Sequence, residues 1–257
     1  VVLEIKNVSK NFGGIHALRN VSFSIKQGEI YGLIGPNGAG KTTMFNLITN
    51  IFEPSSGEIV FNDENITGLK SHKITEKGIC RTYQNIRLFS QMSALKNVMV
   101  GGHSRSSSGV FSSVFRTKAQ RKEEQELEKN AEELLKLVGL FENKDLLAEN
   151  LAYGQQRRLE IARALASKPK LLLLDEPAAG MNEKETDSLY DLIKIIQSKG
   201  ITVLIIEHDM PLVMKLCDRI AVLNFGEKLA EGTPYEIQNN EAVIEAYLGK
   251  EEEEEIA

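Results

Sequence analysis

Residues 29–43 read Glu29-Ile30-Tyr31-Gly32-Leu33-Ile34-Gly35-Pro36-Asn37-Gly38-Ala39-Gly40-Lys41-Thr42-Thr43. The opening six form an apolar run of the length of a buried strand, the next six form a glycine-rich loop, and from Lys41 to about Asn50 the pattern is helical. Gly35 to Thr42 fits Gly-x-x-x-x-Gly-Lys-[Ser/Thr], the P-loop. The residue types follow from the chemistry. Glycines let successive backbone N–H groups turn inward around a polyphosphate, and the helix that follows presents its positive end. Lys41 is placed to bridge terminal phosphate oxygens, and the Thr42 hydroxyl to ligate Mg²⁺.

A second stretch pairs with the first. Leu171-Leu172-Leu173-Leu174-Asp175-Glu176 is four leucines ending in two carboxylates. A buried strand of this kind ends at the carboxyl edge of a sheet, where α/β proteins bind ligands. Asp175 can hold Mg²⁺ through water there, and Glu176 can polarise an attacking water. Alone, the stretch reads equally as a buried strand ending in a charged turn; with the P-loop it reads as a nucleotidase. A GTP-binding switch would want Asn-Lys-x-Asp, and Asn143-Lys144-Asp145 is one residue short and follows a helical pattern.

Upstream, Val2 to Val8 and Val21 to Ile25 alternate apolar and polar residues on either side of the turn-like Phe12-Gly13-Gly14, as antiparallel strands with one wet face do. Downstream, residues from about Leu88 to Ala166 turn helical, with a Ser- and Gly-rich break at Ser104 to Ser113. Within the charged segment Lys118 to Val138, Leu127, Ala131, Leu134, Leu135 and Val138 recur at helical spacing, and Gly139 fits a terminator. Short apolar strands then return at Lys170 to Asp175, Ile201 to Glu207 and Arg219 to Leu223, separated by helical stretches near Glu183 to Ser198 and Met210 to Cys217. That alternation predicts a largely parallel sheet.

Composition excludes several classes. The 257 residues hold 31 Lys and Arg against 36 Asp and Glu, a net charge of −5. Glu251 to Glu255 account for the whole surplus, so the body is balanced and a duplex nucleic-acid partner is not expected. No apolar run approaches the ~18 residues of a membrane span. Cys80 and Cys217 offer at most one bridge and no zinc-ligand spacing, which suits a reduced setting and buried packing thiols.

Asn150-Leu151-Ala152-Tyr153-Gly154-Gln155-Gln156-Arg157-Arg158-Leu159 precedes the Asp175-Glu176 strand, and here the chain resembles the ATP-binding cassette (ABC) family. The family signature is Leu-Ser-Gly-Gly-Gln; Ala152 stands for its Ser and Tyr153 for its first Gly. The missing hydroxyl removes one possible phosphate hydrogen bond, on the order of 1–3 kcal/mol in a dry site. Other family elements match in order: Phe12 resembles the aromatic that stacks on adenine, Gln84 the glutamine that reaches metal and water, and His208 the switch histidine. Ala179-Gly180-Met181-Asn182 resembles the D-loop, with Asn182 where Asp is usual. Singly, Phe12 reads as a hydrophobic anchor, Gln84 as a turn glutamine and His208 as a polar strand end; their order along nearly the whole chain carries the resemblance.

Asp-Glu-Pro-Ala-Ala-Gly-Met-Asn, Ile-Glu-His-Asp-Met and the closing Ala-Tyr-Leu-Gly look most like ATP-binding subunits of branched-chain amino acid importers, the LivG type, and the Ser-rich insertion agrees. The resemblance implies an α/β fold: an ABC ATPase core with an antiparallel β subdomain and a helical subdomain at about 88–166, ending near 249. The acidic stretch 250–257 is expected to be a disordered tail. It implies ATP and Mg²⁺, the latter on Thr42, Gln84 and Asp175, with Glu176 as base and Gln84 and His208 assisting. It further implies that Phe12 and the loop from Gly35 to Thr43 of one chain meet Leu151 to Gln155 of a second cassette, and that Asn182 is among the nucleotide-binding residues. Permease subunits in the membrane, indirectly a solute-binding protein, and a place on the cytoplasmic face of the membrane follow from the same kinship. Related urea and amide importers use similar cassettes, and a soluble ABC ATPase is the other alternative.

Overall fold

The computed structural model describes residues 1–102 and 118–254. The Ser-rich break at 104–113 lies outside them.

The chain begins with a long hairpin, β1 (Leu3–Phe12) and β2 (Ile15–Ile25), to which β4 (Ser56–Phe61) and the short β5 (Glu64–Asn65) add an antiparallel sheet in the order β2-β1-β4-β5. Leu3 and Ile5 face inward as the alternation predicts, but the next inward residue is Val8. An irregularity in the β1–β2 register between Ile5 and Val8, with Asn7 at φ 49°, supplies the extra residue that returns Val8 to the buried face.

The second sheet is the scaffold. Its order is β10-β9-β3-β8-β7-β6, formed by β3 (Ile30–Ile34), β6 (Ile79–Arg81), β7 (Leu171–Asp175), β8 (Thr202–Ile206), β9 (Arg219–Asn224) and β10 (Glu227–Gly232). All its neighbours run parallel except β10 against β9. Every residue of β3, β7 and β8 is buried, because both faces of the sheet are covered. One face shares a core with the antiparallel sheet and α1 (Lys41–Ile48), through Tyr31, Leu33, Phe45, Leu171, Leu173 and Leu204. The other contributes Ile30, Leu172, Leu174, Val203 and Ile205 to a core with the remaining helices.

Those helices are α3 (Ala94–Gly102), α4 (Lys118–Leu137), α5 (Tyr153–Ala166), α6 (Glu183–Ser198) and α7 (Met210–Leu216), while the short α2 (Ser71–Lys77) leads into β6. In α4 the expected stripe holds: Ala131, Leu135 and, just beyond, Val138 are buried, and Gly139 at φ 71° ends the turn. α8 (Pro234–Gln238) and α9 (Glu241–Glu254) complete the order. Of the acidic stretch 250–257, residues up to Glu254 belong to α9 and 255–257 lie outside the described residues. The ordered Ala242–Tyr247 stretch starts the helix, and glutamate, a good helix former, extends it.

Candidate active site

The order β3-β8-β7-β6 places four carboxyl ends in a row, so residues far apart in sequence meet along one edge. β3 delivers the glycine loop. Gly35 turns at φ 147°, and a Cβ there would lie 2.0 Å from the Leu223 carbonyl oxygen, so only glycine lets the loop pass so close to β9. α1 then starts at Lys41. Lys41 is buried, and its Nζ donates to the carbonyls of Gly35 (2.6 Å) and Pro36 (3.0 Å), folding the ammonium over its own loop. A cavity of about 210 Å³ opens here, walled by Ala17, Asn37 to Thr43, Glu176 and His208.

β7 and β8 deliver the acid and the imidazole. Glu176 turns off the end of β7 at φ 47°, its N–H bonded to the Ile206 carbonyl at the end of β8 (2.9 Å). Its two carboxylate oxygens are held separately: Oε2 accepts from Gln84 Nε2 (2.7 Å) and Oε1 from His208 Nε2 (2.8 Å). Asp175, one residue earlier, points below this layer. It is buried and paired with Arg81 Nη2 at 2.7 Å, while Arg81 Nη1 also donates to Asn46 Oδ1 on α1 (2.7 Å). Arg81 thereby ties β6, β7 and the P-loop helix together.

Glu207 is a further buried acid. Its Oε1 accepts the Ala178 N–H (2.7 Å) and its Oε2 the His208 N–H (3.1 Å). Burial raises its pKa above the ordinary carboxylate range, and the N–H donors of Ala178, His208 and Asp209 pull the other way. The side chain thus fastens the turn after Glu176 to the backbone of His208.

The stretch Leu151 to Gln155 sits elsewhere and does not wall this cavity. Ala152 is the N-cap of α5, where only half of a capping box is built: Gln155 Oε1 accepts the Ala152 N–H (3.1 Å), but the Ala152 methyl has nothing to give α5 in return. Tyr153 is 48% exposed with its ring against Gly180. Gly154 packs against the Glu185 carboxylate so closely that a Cβ would fall 2.6 Å from Oε1. Asn182 builds a full capping box on α6 with Glu185, Oδ1 accepting the Glu185 N–H (3.1 Å) and its own N–H donating to Glu185 Oε2 (3.0 Å).

Of the residues singled out in the sequence, the structure brings Asn37 to Thr43, Gln84, Glu176 and His208 together. Phe12 is not in the cavity wall; it is 40% exposed and packs edge-on against Phe52 (5.1 Å between centroids), with Lys10 Nζ 5.0 Å from its ring. Arg81 and Glu207 were missed. Each stands beside a residue that was singled out or in its motif, but no local spacing marks an Arg81–Asp175 partnership across 94 positions.

The family model described as ABC transporter matches residues 18–179. The chain belongs to that family. A second model, described as branched-chain amino acid ATP-binding cassette transporter, matches residues 227–253 of this ABC chain, from β10 into α9. The chain is 46% identical over 250 residues to the high-affinity branched-chain amino acid transport ATP-binding protein BraF of Pseudomonas aeruginosa, covering 97% of this chain and 98% of that protein. Among solved structures, the ADP conformation of the ATP-binding cassette MJ1267 superposes with a TM-score of 0.84 at 32% identity, covering 96% and 98% of the two chains. A dimeric post-hydrolysis form of the cassette MJ0796, bound to ADP and Pi, gives 0.77 at 29% identity and covers 90% and 98%.

Proposed function

We propose that this chain is the ATP-hydrolysing subunit of an importer for branched-chain amino acids, driving uptake through partner subunits in the membrane. The observation that carries the ATPase reading is the cavity walled by the P-loop on one side and by the doubly held Glu176 carboxylate on the other. The substrate class rests on the likeness to BraF and on the match at residues 227–253.

The loop amides and Lys41 hold the phosphates, and Glu176 takes the proton of the attacking water. His208, whose Nε2–H already donates to Glu176, stands where it can support the terminal phosphate. The residues fit Mg²⁺ through Thr42, which lines the cavity and whose hydroxyl would hold the ion; when bound, it would supply charge neutralisation for the phosphates. Asp175, with its carboxylate taken by Arg81, contributes by anchoring that edge, and any hold it has on the ion runs through water.

Because Leu151 to Gln155 do not reach the chain's own P-loop cavity, that stretch is available to a second cassette, as in a dimer of the MJ0796 kind. The permease subunits belong, on this reading, in the cleft near the Gln84 segment. A groove of about 370 Å³ lies where α2 and β6 face α3 and α5, lined in part by Ile51, Ile74, Arg81, Tyr83, Phe89 and Arg163. No described helix is long and apolar enough to cross a membrane, so membrane attachment would come through such a partner, at the cytoplasmic face where ATP is supplied.

The test is uptake of labelled leucine, isoleucine and valine, with urea as the contrasting solute, in cells carrying this chain with its permease subunits. Uptake of the three amino acids that disappears with Lys41→Ala supports the reading; uptake of urea alone overturns the substrate.

A further inference from the structure

One turn into α5 is a charged pair sealed from solvent: Arg157 is 0% and Glu160 1% exposed, with Nη1 2.9 Å from Oε2. Neither lines the phosphate cavity. Charges persist at such depth only where their polar atoms are engaged. Here the remaining bonds go to the backbone of one segment. Arg157 Nη1 donates to the Tyr83 carbonyl (2.5 Å) and Nη2 to the Gln84 carbonyl (2.7 Å). Glu160 Oε1 accepts the N–H groups of Tyr83 (3.4 Å) and Arg87 (3.3 Å). Arg157 Nε is left without a partner, so the guanidinium is oriented for the two carbonyls even though one of its own donors goes unmet.

The segment so held is otherwise open to water: Gln84, Asn85 and Arg87 are exposed. A pair needed only to pack α5 would have no reason to spend four bonds on solvent-facing backbone. Gln84 is therefore gripped at both ends, its main chain by α5 and its side chain by Glu176 at the end of β7.

We propose that Arg157 and Glu160 are positioning residues for hydrolysis: they fasten the 83–87 backbone to α5, so that the Gln84 amide reaches Glu176 only while α5 keeps its present orientation. The inference rests on the reading of Glu176 as the base.

The experiment is steady-state ATP hydrolysis by the full chain with Mg²⁺, comparing the pair replacement Arg157→Met/Glu160→Leu, Gln84→Ala, and all three changes together. Replacing both charges avoids stranding one of them. The pair replacement is expected to lower kcat about tenfold with KM for ATP within about twofold, and to have no further effect once Gln84 is alanine. Multiplying effects, or wild-type kcat in the pair replacement, overturn the proposal. Should the pair replacement fail to fold, Arg157→Lys serves: it keeps the charge but cannot span two carbonyls, and its loss of kcat must likewise vanish in the Gln84→Ala background. A wild-type chain that does not hydrolyse ATP defeats the reading of Glu176 and this inference with it; a hydrolysing chain with independent effects defeats this inference alone.

Discussion

Glu176 and His208, thirty-two residues apart, are joined by a 2.8 Å hydrogen bond between Oε1 and Nε2, across the end of two adjacent parallel strands. With Oε2 given to Gln84, both lone-pair faces of the acid are already directed. Glu176→Gln keeps the shape of the group but removes its basicity. Hydrolysis is expected to fall by about 10² to 10³, the scale of a lost general base. ATP binding, measured by equilibrium dialysis, should persist; turnover within a few-fold of wild type would take Glu176 out of this role.

α5 lacks half of its cap, and the remedy is one atom. In Ala152→Ser the hydroxyl can accept the backbone N–H of Gln155, whose side chain already returns a bond to residue 152. The substitution should stabilise the protein by about 1 kcal/mol. Chemical denaturation would read this as a raised midpoint with unchanged slope; an unchanged or lowered midpoint would show that the helix end is satisfied in another way.

Cys217 is buried against the core, and desolvation first, then the neighbouring Asp218 charge, push its thiol up to about 12. At pH 8 only about one molecule in 10⁴ would carry the thiolate at that position. Cys80 is also buried, its sulfur 2.7 Å from Ser167 Oγ. A thiol-specific chromogenic disulfide should therefore react very slowly with native protein and stoichiometrically after denaturation. Fast labelling of the native chain would contradict the burial.

Glu207 gives a pH signature. Its folded pKa is raised, chiefly by burial, so its contribution to stability is complete below the unfolded value and is lost as pH rises through the folded one. Glu207→Gln removes that titration. The stability of wild type relative to Glu207→Gln should decline as pH rises above the ordinary glutamate value. Urea melts at several pH values test it, and a gap that widens with pH has the wrong sign.

What was legible in the sequence was local. The P-loop and the leucine strand announce themselves because each compresses its chemistry into a few consecutive residues, and the parallel sheet follows from the buried runs between helices. β6 was not seen, since three residues, Ile79 to Arg81, leave no period to detect. Nor could spacing reveal that Asp175 is answered by Arg81, or that Arg157 serves the carbonyls of Tyr83 and Gln84; those partners meet only after the sheet order is set. Phe12 was singled out by family likeness, and the structure seats it on Phe52, a contact no alternation pattern encodes. Asn182 was singled out as a D-loop residue among those that bind nucleotide, and its visible task is to start α6.

β7 has no face toward water, and Glu176 is covalently its next residue. Amides of such a strand open only when the whole molecule does. Glu176 therefore keeps station through every excursion short of unfolding, and any local opening at this edge falls to the segments around it.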